Sequence, residues 1–228
     1  MTAPSPSHFD FLQSIDTPTA CNLVEIVAPE RRGFGYTVKH LHCPFPDLPP
    51  MVGFAKTVTF KAKDAVPLGD GGYMQKRLDY LDYVAGAPRP SIMIMEDLDG
   101  EHVGYGAFWG EVQSNVHKAL GCLGVVTSGS IRDIPMIAPG FQMLAGSIVP
   151  SHAYVHVVDY GIDVDVHGMA VKSGELIHAD RHGACIVPTD KIDAMKVALV
   201  ALADKEAKII EAARSGGGVA AIKAAMKG

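Results

Sequence analysis

Two periods of apolar and polar positions divide this chain. In MVGFAKTVTFKA, residues 51–62, Phe54, Val58, Phe60 and Ala62 share one parity, broken only by Lys56, so the stretch predicts a strand. SIMIME at 91–96 and CLGVVT at 122–127 are short apolar runs bounded by turn residues, and they predict two more. PGFQMLAG, SHAYVHVVDYGIDVDV, MAVKSGELIHAD and ACIVPTD extend the β-rich pattern to residue 190, with Gly174 and Gly183 as turns. Helical spacing governs the other segments. SIDTPTACNLVEIV predicts a helix capped by Thr17, with Pro18 at its first position and an end near Ile26. YMQKRLDYLDYV, 73–84, places Leu78, Leu81 and Val84 on one side, and EVQSNVHKAL, 111–120, carries Val112, Val116, Ala119 and Leu120 before Gly121 ends it. A long helix follows Asp190, its predicted cap, with Ile192, Met195, Leu199, Leu202 and Ile209 at helical intervals as far as Gly216. VAAIKAAMKG adds a short helical tail, residues 1–8 read as frayed, and 29–50 as covering loop.

Strand, helix 111–120 and strand in succession imply a crossover unit. The reading is one α/β domain over 1–228, with a core over about 15–190 and a helical extension from 190 to 228.

Composition narrows the function. The 228 residues are 48% hydrophobic and 20% charged, a globular balance. A net charge of -5 without a basic tract argues against a nucleic-acid partner, although one arginine can still hold a small anion. No run of 18 apolar residues predicts a membrane span, and MTAPSPSHFD has no signal-peptide pattern, so a cytoplasmic location is expected. The four cysteines fit no zinc pattern, and Cys21, Cys122 and Cys185, in apolar surroundings, read as buried thiols.

The chemistry gathers in GCLGVVTSGSIRDIPMI, 121–137. Ser128, Gly129 and Ser130 read as a turn behind the strand, and Arg132 and Asp133 follow side by side. Arginine offers a planar fork for a carboxylate, and aspartate is a hard oxygen ligand for Mg²⁺ or Mn²⁺. Together they could hold a small anionic 2-oxo acid; alone they could be a local ion pair. Glu111 opens the helix that leads into this strand, where it suits the helix dipole or could hold a metal-bound water. The amides of Val112 and Gln113 could take a carboxylate. The pairs His152/His156 and His178/His182 would sit about 13 Å apart on strands, too far to share a metal. His152 and His182 lie beside loops, as acid-base or cleft-lining candidates. Asp70, in the PLGDGG loop, is a turn residue or a substrate contact, and Tyr73 and Trp109 read as packing or cleft wall.

WGEVQSNVHKALGCLGVVTSGSIRD resembles the signature of the RraA-like family: an acid, twenty residues, then Arg-Asp, here Glu111 and Arg132-Asp133. The likeness runs from about IDTPTACNLVE to ADRHGACIVP. It implies a compact α/β/α fold like a swivelling phosphohistidine domain, assembled as trimers or hexamers with sites between subunits. It also implies a class II pyruvate aldolase that cleaves 4-hydroxy-4-methyl-2-oxoglutarate or 4-carboxy-4-hydroxy-2-oxoadipate, or decarboxylates oxaloacetate. On that resemblance Asp133 binds Mg²⁺ or Mn²⁺, Arg132 holds the pyruvyl group, Glu111 orients a metal-bound water, and Val112 and Gln113 contact the carboxylate. The sequence departs from the aldolase pattern at Met136, at Glu111, at Ser128-Gly129, at PLGDGG and at APRPS. Relatives that bind and restrain an RNA-degrading enzyme make a non-catalytic role the alternative, with a hydrolase or isomerase on the same metal platform as another.

Overall fold

A computed structural model describes residues 4–66 and 72–227. Its centre is an eight-stranded mixed sheet. Strand β1 (Met51–Lys61) pairs in parallel with β2 (Ser91–Asp97). Strand β2 pairs in parallel with β4 (Cys122–Ile131). The far edge of β4 carries β5 (Gln142–Ile148), also parallel. The short β3 (Ala107–Trp109) joins β4 at Ser130 and Ile131. The other edge of β1 takes β9 (Leu176–Asp180) and then β6 (His156–Tyr160), both antiparallel. Strand β10 (Gly183–Ile186) extends β9, while β7 (Val164–Val166) and β8 (Met169–Val171) form a separate hairpin.

The alternation expected of β1 dissolves because the sheet is covered on both faces. Even Lys56 is buried at 3% exposure. Its Nζ donates to the Ala87 carbonyl at 3.0 Å and lies 4.9 Å from the centre of the Tyr83 ring, and burial pushes its pKa down. On one face lie α3 (Tyr73–Ala85) and α4 (Glu111–Ala119), over a core that includes Phe60, Trp109, Phe141 and Met95. Elsewhere α1 (Pro6–Gln13), α2 (Thr17–Val27) and α5 (Ile192–Arg214) enclose Leu12, Leu23, Cys185 and Met195. The last helix, α6 (Gly218–Lys227), packs back on α5.

Four local expectations are corrected. The amino-terminal segment is not frayed from residue 6 onward: Leu12 of α1 is fully buried. Asp16, not Thr17, caps α2, its carboxylate accepting from the Thr19 amide at 2.9 Å. Asp190 lies in a 3-10 turn, and Lys191 precedes α5 without a capping side chain. Most consequentially, Ser128-Gly129-Ser130 is no turn but the interior of β4. A Cβ on Gly129 would lie 2.4 Å from the Phe60 ring, so the glycine serves close approach rather than a bend. Ser128 Oγ accepts from the Asp97 amide at 2.9 Å and Ser130 Oγ donates to the Gly104 carbonyl at 2.6 Å, which lets two hydroxyls sit in a buried strand.

Candidate functional site

The β3–α4–β4 crossover determines where the candidate residues meet. Because β3 and β4 are parallel, the start of α4 and the end of β4 emerge at the same edge of the sheet. The Arg132 amide donates to the Trp109 carbonyl at 2.8 Å and so continues the pairing one residue past the strand. Asp133 then turns the chain in the left-handed region, at φ 54 and ψ 34, into a 3-10 turn over Ile134–Met136. Left-handed backbone at a residue with a Cβ costs roughly 1–2 kcal/mol.

That turn aims the Asp133 carboxylate at the amino end of α4. Its Oδ2 lies 3.4 Å from the Glu111 amide nitrogen and 3.5 Å from Arg132 Nε. Gly110 makes the approach possible, since a Cβ there would fall 2.5 Å from Oδ2. Gly110, the residue before α4, has no side chain to cap the helix, and the Asp133 carboxylate takes the Glu111 amide; the next first-turn amides, of Val112 and Gln113, are the candidates for an anion. The side chains of Arg132 and Asp133 are about one-third exposed, at 34% and 36%. Asp133 Oδ1 has no hydrogen-bond partner among the described residues.

Glu111, Val112, Gln113, Arg132 and Asp133 all line one cleft of about 830 Å³. The cleft thus holds every candidate site residue named from the sequence around the Arg132-Asp133 pair, and Asp70 lies outside the described residues. Helix α3 forms the facing wall, adding Tyr73 and Arg77, and the loop before β6 adds His152. Arg77 had no signal in the sequence beyond being one charge on an amphipathic helix. Met136 is exposed in the 3-10 turn behind Asp133.

A buried pair joins the two walls. The Tyr80 hydroxyl of α3 lies 2.6 Å from His117 Nε2 of α4, while His117 Nδ1 donates to the Gln113 carbonyl at 2.7 Å. With Nδ1 the donor, Nε2 of the neutral ring accepts from Tyr80. Burial pushes the His117 pKa down to about 4 and that of Tyr80 well up, so both are neutral at pH 7. The other histidine pairs are separated by role. His178 is buried, with Nε2 donating to the Leu12 and Ile15 carbonyls at the α1–α2 junction. His182 stands 3.0 Å from Asp180.

The donor chemistry fits a hard divalent ion. Among the described residues no group of three or more His, Cys, Asp and Glu converges as a metal cage. The Asp133 carboxylate, about one-third exposed, could hold a hard divalent ion such as Mg²⁺ or Mn²⁺, which keep much of their water.

The profile of the RraA-like family, described as Aldolase/RraA, matches residues 20–186. The chain belongs to the RraA-like family. This family includes metal-dependent aldolases and decarboxylases as well as non-catalytic ribonuclease inhibitors. Protein DlpA of Legionella pneumophila is 21% identical over 143 residues, and the matched region is 59% of this chain but only 22% of that protein. An uncharacterized protein from Pseudomonas syringae pv. tomato superposes with a TM-score of 0.71 at 20% identity, covering 94% of this chain and 92% of that one. Streptomyces coelicolor RraAS2, described as an unusual member of the RNase ES inhibitor RraA family, gives 0.65 at 19% identity, covering 90% and 95%. At these identities the likeness establishes a shared RraA-like α/β fold. No helix among the described residues is long and apolar enough to cross a membrane.

Proposed function

We propose that this RraA-like protein is a divalent-metal-dependent lyase of 2-oxo acids, cleaving a 4-hydroxy-2-oxo diacid or decarboxylating oxaloacetate. One observation carries the reading: the Asp133 carboxylate is turned, at the cost of a left-handed backbone, against the start of α4 and beside Arg132, at the wall of a large cleft. Mg²⁺ or Mn²⁺ held by Asp133 would act as a Lewis acid on the 2-oxo group. Arg132 binds the pyruvyl end and balances the negative charge that develops on its oxygen. The Val112 and Gln113 amides orient the carboxylate, and Glu111 holds a water at the rim. The charge of Glu111 opposes an incoming anion, and Arg132 offsets it. In keeping with its family, the protein works as an oligomer, a trimer or hexamer.

The test is pyruvate release from oxaloacetate and from 4-hydroxy-4-methyl-2-oxoglutarate, with and without EDTA. Release that is abolished by EDTA and reduced at least about 100-fold in D133A and R132A supports the assignment. Wild-type rates in both variants would remove it.

A second reading, a non-catalytic binding protein, is favoured by the apolar groups exposed around the cleft: Val112 at 69%, Met74 at 61% and Tyr154 at 60%. In that case D133A and R132A would leave partner binding intact, and no metal-dependent turnover above free metal would be seen.

A further inference from the structure

We propose that His152 is a further catalytic residue of this cleft, the base that accepts the hydroxyl proton of a 4-hydroxy-2-oxo acid during carbon–carbon cleavage. The inference rests on the lyase reading.

His152 lies in the loop between β5 and β6, and its exposed side chain lines the same cleft as Glu111, Arg132 and Asp133. Its Nδ1 is 2.7 Å from the Ala153 carbonyl oxygen. A carbonyl only accepts, so Nδ1 carries the proton and the lone pair of the neutral ring sits on Nε2. One tautomer is thereby selected, the one whose free nitrogen is a base.

The loop is held, not loose. Ala153 adopts φ 47, left-handed backbone that a residue with a Cβ rarely takes. Four bonds hold it there. The Ala107 amide donates to the Ser151 carbonyl at 2.9 Å and the Ala153 amide to Ser151 Oγ at 3.0 Å. The Tyr154 amide donates to the Ala62 carbonyl at 2.8 Å and the Val155 amide to the His152 carbonyl at 3.2 Å. The segment also sits directly on Gly106, where a Cβ would meet the His152 carbonyl oxygen at 2.6 Å. Strain that surrounding structure enforces is a mark of functional loops. Here it fixes a histidine to the start of β3, the strand that runs through Gly110 into α4. Nothing in the packing requires an imidazole at 152, since the residue is exposed at the cleft.

The step balances without a further reactant. Nε2 takes the proton from the C4 hydroxyl, and the oxygen closes to a carbonyl. The C3–C4 bond breaks, and its electron pair moves onto the pyruvyl fragment, ending on the C2 oxygen beside Arg132. The proton returns from Nε2 to C3, which gives pyruvate and the neutral ring. Decarboxylation of oxaloacetate passes through the same enolate but removes no hydroxyl proton. The decarboxylation enolate takes its C3 proton from solvent water, so that reaction shares the enolate site but does not need this base.

The experiment compares wild-type protein with H152N and H152A, full-length and loaded with Mg²⁺. It measures kcat/KM for 4-hydroxy-4-methyl-2-oxoglutarate cleavage and for oxaloacetate decarboxylation, and oxalate affinity by calorimetry. The expected result is a loss of about 10²–10⁴-fold in cleavage, partly restored by free imidazole in H152A, with decarboxylation and oxalate binding unchanged. Equal loss of both reactions, or loss of neither, overturns the assignment. Wild-type protein that decarboxylates oxaloacetate but cleaves no hydroxy acid keeps the lyase reading and removes the base. Wild-type protein inactive on both substrates and unable to bind oxalate removes both.

Discussion

Replacing Gly110 by alanine should separate the candidate site from the fold. Gly110 has φ -167 and ψ -158, an extended conformation open to any residue, so Ala meets no backbone penalty there. The added methyl would stand 2.5 Å from Asp133 Oδ2 and 3.2 Å from Arg132 Cγ, about 0.9 Å inside ordinary 3.4 Å contact with the oxygen. Both neighbours are partly exposed side chains that can swing away. The overpacking cost, about 1–3 kcal/mol in a closed core, is therefore at the low end here. The stiffer unfolded chain offsets about 0.4–1 kcal/mol of it. The melting temperature should fall by only a few degrees, since 1 kcal/mol is worth about 2–4 °C in a chain of this size. The carboxylate, by contrast, moves by most of an ångström, and a displacement of about 1 Å can cost about 100-fold in rate. Thermal melts by circular dichroism, a coupled pyruvate assay and Mn²⁺ titration by electron paramagnetic resonance read the three quantities. G110A that keeps wild-type turnover and Mn²⁺ affinity would refute the placement of Asp133, as would global unfolding.

Two further outcomes test the fold around the site. G129A should lose about 1–3 kcal/mol or more, because its methyl would meet Phe60, fully buried, at 2.4 Å; urea melts that match wild type would contradict the strand assignment. Stability should fall as pH drops from 6.5 toward 4: the folded His117 pKa lies at about 4, below the ordinary 6.5, so the unfolded chain takes the proton first. Full stability is present above the upper value, and the gap corresponds to about 3 kcal/mol. Burial lowers His178 in the same sense, whereas Asp97, raised by burial, acts in the opposite one. Comparing urea midpoints at pH 7 and 4.5 in wild type and H117Q isolates the His117 share, and a flat profile in wild type would defeat the argument.

The sequence was most informative where local pattern and tertiary structure agree. Strands β1 and β2 and helices α3 and α4 fall within a residue of their expected bounds, because apolar periodicity and flanking turn residues both mark them. The spacing from Glu111 to Arg132-Asp133 is legible because one crossover unit spans it. The end of β4 is hidden in the sequence because Ser-Gly-Ser has turn chemistry in isolation, and the ring of Phe60 explains its glycine. Strand β3 is three residues long and carries no period. The role of Gly110 depends on Asp133, 23 residues away, and the His152 loop is held through Ser151 by Ala107, 44 residues away, which no local pattern reveals.

The left-handed turn at Asp133 sets stability and chemistry against each other at a single codon. Glycine is the residue its backbone favours, and Asp133→Gly would relieve the strain of about 1 kcal/mol while deleting the carboxylate. A library sorted only for heat resistance would therefore tend to enrich the loss of this site.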